Sequence, residues 1–305
     1  MSVSASNRAD RRPILVTGMP RSGTTWLARL LASAPGTALG GREPMNPRGR
    51  QYALAHTLPG WVELTAPTSR QRRALRSAYH GYNPLVFSRY GRRQWAAPLP
   101  WTRLVVKDPF AMLSVPAVRE VTGACAVLLY RHPGAALASY RRMGWSPDVA
   151  ELQPVLRDHR RRLGIASGAP LVAVDERGEA EAMGRFWAAL YEMALDNVAD
   201  LEDVVVVSHE EIASGGPTAG RRLFGALGLR WSSAAEAELA GARADSAPAD
   251  APADDRNLHN LDRAPGEVAA AWRKHVSPDE VAVIEAVTAE VRGRLDAERL
   301  ALVAP

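Results

Sequence analysis

Gly18-Met19-Pro20-Arg21-Ser22-Gly23-Thr24-Thr25 follows a short apolar run, Ile14 to Thr17, and opens a stretch in which Trp26, Leu27, Leu30 and Leu31 recur at helical spacing. The octet therefore sits at a strand-to-helix turn. At such a turn glycines allow close approach to the backbone, and amides together with the helix dipole attract an anionic oxygen. A magnesium-triphosphate loop of this spacing ends in Gly-Lys-Ser/Thr, with the lysine on the terminal phosphates and the hydroxyl on the metal. Here the residues are Gly23-Thr24-Thr25, and the positive charge has moved back to Arg21. The expected ligand is a phosphate-like group held without that metal apparatus. A glycine turn that merely joins strand to helix is the bland alternative.

A second constellation narrows the reading. Ala124 to Tyr130 is a continuous apolar run of the kind buried in a parallel sheet, and it ends in Arg131-His132-Pro133-Gly134. Pro133 suits the first turn of a helix continuing through Ala135, Leu137, Ala138 and Tyr140. Arg131 thus leaves the carboxyl end of a strand, with Ser139 on the next helix. Where a nucleotide triphosphatase would present a metal-binding aspartate, this strand presents a guanidinium suited to a second phosphate. Taken alone, Arg131 reads equally as a strand-end salt bridge and Ser139 as a small surface residue. Apolar strands alternating with helical patterns predict an α/β fold, a P-loop-type three-layer α/β/α arrangement around a central, mostly parallel sheet.

Together the two motifs resemble the sulfotransferase family, whose donor is 3'-phosphoadenosine-5'-phosphosulfate (PAPS). The family's loop, Pro-Lys/Arg-Ser-Gly-Thr-Thr-Trp, is matched by Pro20 to Trp26, and its 3'-phosphate motif by Arg131 and Ser139. Lys107-Asp108-Pro109-Phe110 follows the strand Leu104 to Val106, as in tyrosylprotein sulfotransferases and many bacterial relatives. Further on, Trp187, the strand Val204 to Val207 with Glu210-Glu211-Ile212, and Trp272-Arg273-Lys274-His275 are similar to later family segments. The likeness runs from Pro13 to about Leu295. In motif style it is that of a soluble bacterial member near the tyrosylprotein branch.

The resemblance implies roles. Arg21, Ser22, Gly23, Thr24 and Thr25 would hold the 5'-phosphosulfate, Trp26 would stack on adenine, and Arg131, Ser139 and Arg273 would hold the 3'-phosphate. Arg263 is an alternative to Arg273, because Pro265-Gly266 stands where cytosolic relatives carry a basic element. Arg21 and Lys107 would supply positive charge as the sulfur–oxygen bond breaks. Pro109 occupies the place of the histidine base of those relatives. Glu43, 22 residues after Arg21 and just beyond the expected strand Thr37 to Leu39, takes the role of general base, with His132 as runner-up. The competing readings are a salt bridge from Glu43 to Arg21 or Arg42, a helix-capping role for His132, and a core-anchoring role for Trp26.

Composition sets outer bounds. At 305 residues and 47% hydrophobic, the chain is long enough for one substantial core. The expected layout is a disordered tail over 1–12 and one domain over 13–305, with an acceptor-side insertion at 44–101 and a mobile loop at 241–256. The insertion carries Tyr52, Trp61, Tyr79, Tyr82, Phe87, Tyr90, Trp95 and Trp101, which read either as walls of the ligand crevice or as a satellite core. The lone Cys125 reads as a small buried hydrophobe. No run approaches a membrane span, and no leader is evident, so the expectation is a cytoplasmic protein.

Charge is lopsided: residues 1–163 carry 25 Lys/Arg against 8 Asp/Glu, and 164–305 carry 13 against 25. A positive field favours an anionic donor. Scattered arginines without a nucleic-acid motif argue against nucleic acid and for pairing with the acidic half. The expected activity is sulfuryl transfer from PAPS to a hydroxyl or amine of a small-molecule, carbohydrate or peptide acceptor, with no metal. The alternatives are a P-loop kinase using Mg-ATP and a non-catalytic nucleotide- or polyanion-binding protein.

Overall fold

The computed structural model describes residues 11–47, 54, 57–165, 178–241 and 271–303. Its strands are β1 (Ile14–Thr17), β2 (Thr37–Gly41), β3 (Phe87–Arg92), β4 (Arg103–Lys107), β5 (Cys125–Tyr130) and β6 (Val204–Ser208). They form one sheet in the order β3-β2-β4-β1-β5-β6. All neighbours pair in parallel except β3, which runs antiparallel to β2.

The helices among the described residues are α1 (Thr24–Leu31), α2 (Ser69–Tyr79), α3 (Val115–Thr122), α4 (Pro133–Met143), α5 (Val149–Leu163), α6 (Glu179–Val198), α7 (His209–Ser214), α8 (Gly216–Ala226), α9 (Ser233–Leu239) and α10 (Pro278–Glu298). Every residue of β1, β4 and β5 is buried, as strands covered on both faces must be. Successive side chains point to opposite faces. Leu15, Ala126 and Leu128 therefore enter one apolar core, closed by α2 to α6 and α10, while Ile14, Val16, Val127 and Leu129 enter a second, closed by α1, α7, α8 and α9. The expected α/β/α layering is the one observed.

β1 lies between β4 and β5, so the chain leaves it toward one side of the sheet and later crosses to the other. A crevice opens at the carboxyl edge where strand order reverses in this way. The loops after β2, β1, β4, β5 and β6 all emerge along that edge, and they bring Glu43, Arg21, Lys107, Arg131 and His209 to it.

Several expectations meet particular outcomes. Met183, Phe186, Trp187, Leu190 and Ala194 of α6 are buried as one core stripe. Cys125 is buried, and the buried Arg103 guanidinium reaches its Sγ at 3.1 Å as well as the carbonyls of Arg12 and Leu227. Within 44–101, Trp61 and Tyr79 join the core, whereas Tyr82, Trp95 and Trp101 are 68%, 78% and 64% exposed. Trp101 stands two residues before β4 begins, at the sheet edge opposite the crevice, so this ring does not wall the site. Strand β3 arises inside the insertion and was not foreseen. Tyr52, Arg263, Pro265-Gly266 and residues 242–256 lie outside the described residues, as do residues 1–10 of the expected tail. At the tail's end Arg12 is tied to Asp203, at 2.5 Å.

The lopsided charge resolves into cross-chain pairs. Arg29 and Arg92 meet Glu238, Arg12 and Arg119 meet Asp203, Arg160 meets Glu192, and Arg141 meets both Glu179 and Glu280. Among the described residues no helix is long and apolar enough to cross a membrane, and no cluster of three or more His, Cys, Asp or Glu side chains is arranged to hold a metal.

Candidate active site

The loop after β1 is built from unusual backbone. Gly18, Arg21 and Gly23 have φ of 144°, 73° and 100°. A side chain in the left-handed region at Arg21 costs roughly 1–3 kcal/mol, a strain that persists only where surrounding contacts fix it. Such contacts are present: Tyr191 Oη accepts from the Met19 amide at 3.2 Å and donates to the Leu129 carbonyl at 2.8 Å, pinning the loop to β5. A Cβ on Gly23 would sit 2.5 Å from the His209 ring. Only glycine satisfies both that contact and the positive φ. Gly23 also offers no side-chain cap to α1, which leaves the first-turn amides of Thr24 and Thr25 without a capping acceptor.

The two anion motifs of the sequence meet directly. Arg21 Nε donates to Ser139 Oγ at 3.0 Å, and Arg131 Nη1 reaches the Arg21 carbonyl at 3.5 Å. Trp187, deep in the core on α6, donates from Nε1 to the Arg131 carbonyl at 3.1 Å and fixes the strand end. Burial, then the charges of Arg142 and Arg131, pull the Arg21 guanidinium below its ordinary pKa. Burial and Arg142 do the same to Arg131, against the opposing effect of Glu210. Crowded, desolvated cations of this kind favour an anion between them.

A second cluster forms beside the loop. Lys107 Nζ, at the end of β4, pairs with Glu43 Oε1, and Asn46 donates to Glu43 Oε2. Lys107 is thus one partner of the Glu43 carboxylate and Asn46 another. Asp108 is fully buried behind this pair and accepts from the amides of Met45 (2.5 Å) and Phe110 (3.1 Å). It thereby ties the Glu43 loop to β4. Burial, reinforced by the Glu43 charge, pushes the Asp108 carboxyl up to about 8.

Two ring pairs flank the cradle. Trp26 meets His209 edge to face at 5.3 Å, and neither Trp26 Nε1 nor His209 Nδ1, both buried, has a hydrogen-bond partner among the described residues. Burial, aided by the Arg131 charge, holds His209 down to about 3, so its imidazole is neutral. On the other side Trp272 stacks on His132 at 4.5 Å, packed so closely on Gly134 that a Cβ there would collide with the indole. His132 caps α4, its Nδ1 accepting from the Gly134 amide at 3.1 Å. Burial and then the Arg292 charge hold it down to about 4. The Arg273 guanidinium lies over the Trp272 ring at 4.9 Å.

Arg21, Ser139 and Arg131 thus come together, Glu43 and Lys107 form an adjoining pair, and Arg273 reaches this edge through Trp272. Asn46, Asp108 and His209 were missed. His209 could have been flagged by its place two residues after the apolar run 204–207, at a strand end like the others.

A strand-to-helix cradle beside a strand-end guanidinium, both at the carboxyl edge of a parallel sheet, defines an α/β protein with a cationic crevice. The family model described as "Sulfotransferase family" matches residues 13–233, and the chain belongs to that family. It is a sulfotransferase. Among solved structures it is similar to the sulfotransferase domain from the curacin biosynthetic pathway (18% identity, 90% of this chain and 97% of that chain, TM-score 0.46). It is also similar to mouse sulfotransferase SULT7A1 complexed with PAP (13%, 94% and 87%, TM-score 0.43) and to sulfotransferase STF9 from Mycobacterium avium (16%, 95% and 79%, TM-score 0.39). No curated protein matches the chain.

Proposed function

We propose that the protein transfers a sulfuryl group from 3'-phosphoadenosine-5'-phosphosulfate to an acceptor hydroxyl or amine, with Glu43 as general base. The observation that carries this reading is the Arg21–Ser139 hydrogen bond, which makes one continuous anion site of the loop and the β5 end. The uncapped α1 amides suit a 5'-phosphosulfate, and the Arg131–Ser139 corner suits a 3'-phosphate. The unmatched Trp26 and His209 nitrogens lie beside the cradle, where a purine offers acceptors. The residues present therefore fit the donor.

In-line displacement needs the base on the entering side of sulfur and positive charge where the leaving oxygen develops its own charge. Glu43 takes the acceptor proton, and Lys107, already in contact with it, neutralises the sulfuryl oxygens. Arg21 serves the leaving phosphate. His132 is the poorer base, because Nδ1 is committed to the α4 cap and the ring is stacked under Trp272. We place the acceptor at the Glu43 end of the crevice, toward the 44–101 segment; a small molecule, a carbohydrate or a peptide meets the same requirement.

Titration calorimetry with 3'-phosphoadenosine-5'-phosphate, with and without magnesium, tests the donor. Micromolar, magnesium-independent binding is expected, and transfer from labelled donor to a panel of sugars, phenols and peptides then defines the acceptor. A strict magnesium requirement with triphosphate turnover would favour the kinase alternative instead.

A further inference from the structure

We propose that Arg142 is a third guanidinium of the donor site, which grips the 3'-phosphate alongside Arg131 and Ser139 and selects nucleotides that carry it. This inference rests on the donor reading above. Ser139 and Arg142 are three residues apart on α4 and therefore share a helix face. On that face Ser139 Oγ already accepts from Arg21, whose carbonyl meets Arg131. The contrast with the preceding residue is informative. Arg141, on the next face, spends its guanidinium on Glu179 at 2.6 Å and Glu280 at 2.5 Å, a structural clasp from α4 to α6 and α10. Arg142 is exposed and makes no hydrogen bond or ion pair among the described residues. Its charge is nonetheless felt by both Arg21 and Arg131, each of which is harder to protonate because of it.

The charges of Arg131 and Arg142 both act on Arg21, that of Arg142 acts on Arg131 as well, and the Glu210 charge opposes it there. The Glu210 oxygens are also engaged by the His132 amide and the Ser208 hydroxyl. Like charges held together are relieved by an anion, and by a dianion most. A phosphate monoester carries nearly two charges at neutral pH. Arg142, on a long exposed stem beside the half-buried Arg21 and the buried Arg131, is placed to close over such a group once it arrives.

The test compares wild type with Arg142→Gln and Arg142→Lys by calorimetry, using 3'-phosphoadenosine-5'-phosphate and adenosine 5'-phosphate as paired ligands. Arg142→Gln is expected to weaken the bisphosphate by about tenfold or more and to leave the monophosphate unchanged; Arg142→Lys should restore part of the loss. Because the side chain is exposed and unpaired, the thermal midpoint should not move, whereas Arg141→Gln should lower it. Equal weakening of both ligands, or no weakening of either, overturns the role of Arg142 while wild type still prefers the bisphosphate. If wild type itself shows no preference for the bisphosphate, the donor reading fails and the proposal fails with it.

Discussion

Arg21 Nε and Ser139 Oγ lie 3.0 Å apart across 118 positions of sequence. One residue lies in the middle of the glycine-containing cradle and the other on the helix after the strand-end arginine. Their contact means that displacement of α4 relative to β1 alters both halves of the anion site together.

Replacing Arg131 with Ala should weaken binding of 3'-phosphoadenosine-5'-phosphate by ~1.5–3 kcal/mol, the range for a lost charge-assisted hydrogen bond. Calorimetry on the folded variant measures this directly. Unchanged affinity would count against a 3'-phosphate at this corner.

Glu43→Gln should cut turnover by about 10²–10⁴-fold, the range for losing a general base, while nucleotide affinity stays close to wild type. Single-turnover rates with labelled donor separate the two effects. A variant that turns over normally would move the base elsewhere.

Gly23→Ala combines a disfavoured φ of 100° with a contact against the His209 ring. A loss of about 1–3 kcal/mol in stability is expected, together with weaker nucleotide binding. Denaturant melts with and without ligand report both. Gly123→Ala, where φ is 70° but nothing lies within 4 Å, isolates the backbone contribution.

Acid should loosen the fold through the two neutral histidines. With folded values of about 3 for His209 and about 4 for His132, the unfolded chain takes up protons below about pH 6.5 that the folded chain refuses. Their contribution is complete above that pH and is lost as pH falls, by about 2 kcal/mol for each histidine at pH 5. Asp108 acts in the opposite sense, because its raised carboxyl value makes it favour the folded state less as pH rises from about 4 to 8. The difference between wild type and His209→Phe therefore carries the histidine effect, and its stability should fall less steeply between pH 6.5 and 4.5. Parallel curves would sink this account.

The parallel strands were legible because burial on both faces demands unbroken apolar runs such as Cys125–Tyr130. β3 was not, because Phe87-Ser88-Arg89-Tyr90-Gly91-Arg92 is polar, contains glycine and pairs on one side only, with an irregular register against β2. In the site, Glu43 was singled out by the family resemblance, which implies an acidic residue at that distance after the loop. Its pairing with Lys107 depends on β2 lying beside β4, and strand order is a property of the packed sheet that no local pattern encodes. His209 was invisible for a related reason: its low basicity comes from burial against Gly23 and the charge of Arg131, both distant in sequence.

The stretch that matches the family stops at residue 233, yet Trp272, well beyond it, lies flat on His132 and fills the hollow above Gly134. The stretch beyond residue 233 is thus no detachable appendage. Trimming the protein to its recognisable portion would uncover the imidazole that begins α4 and strip α10 from its long seam with α6. Anyone shortening this enzyme for crystallisation or transplanting its cradle into another scaffold should carry the tail end along.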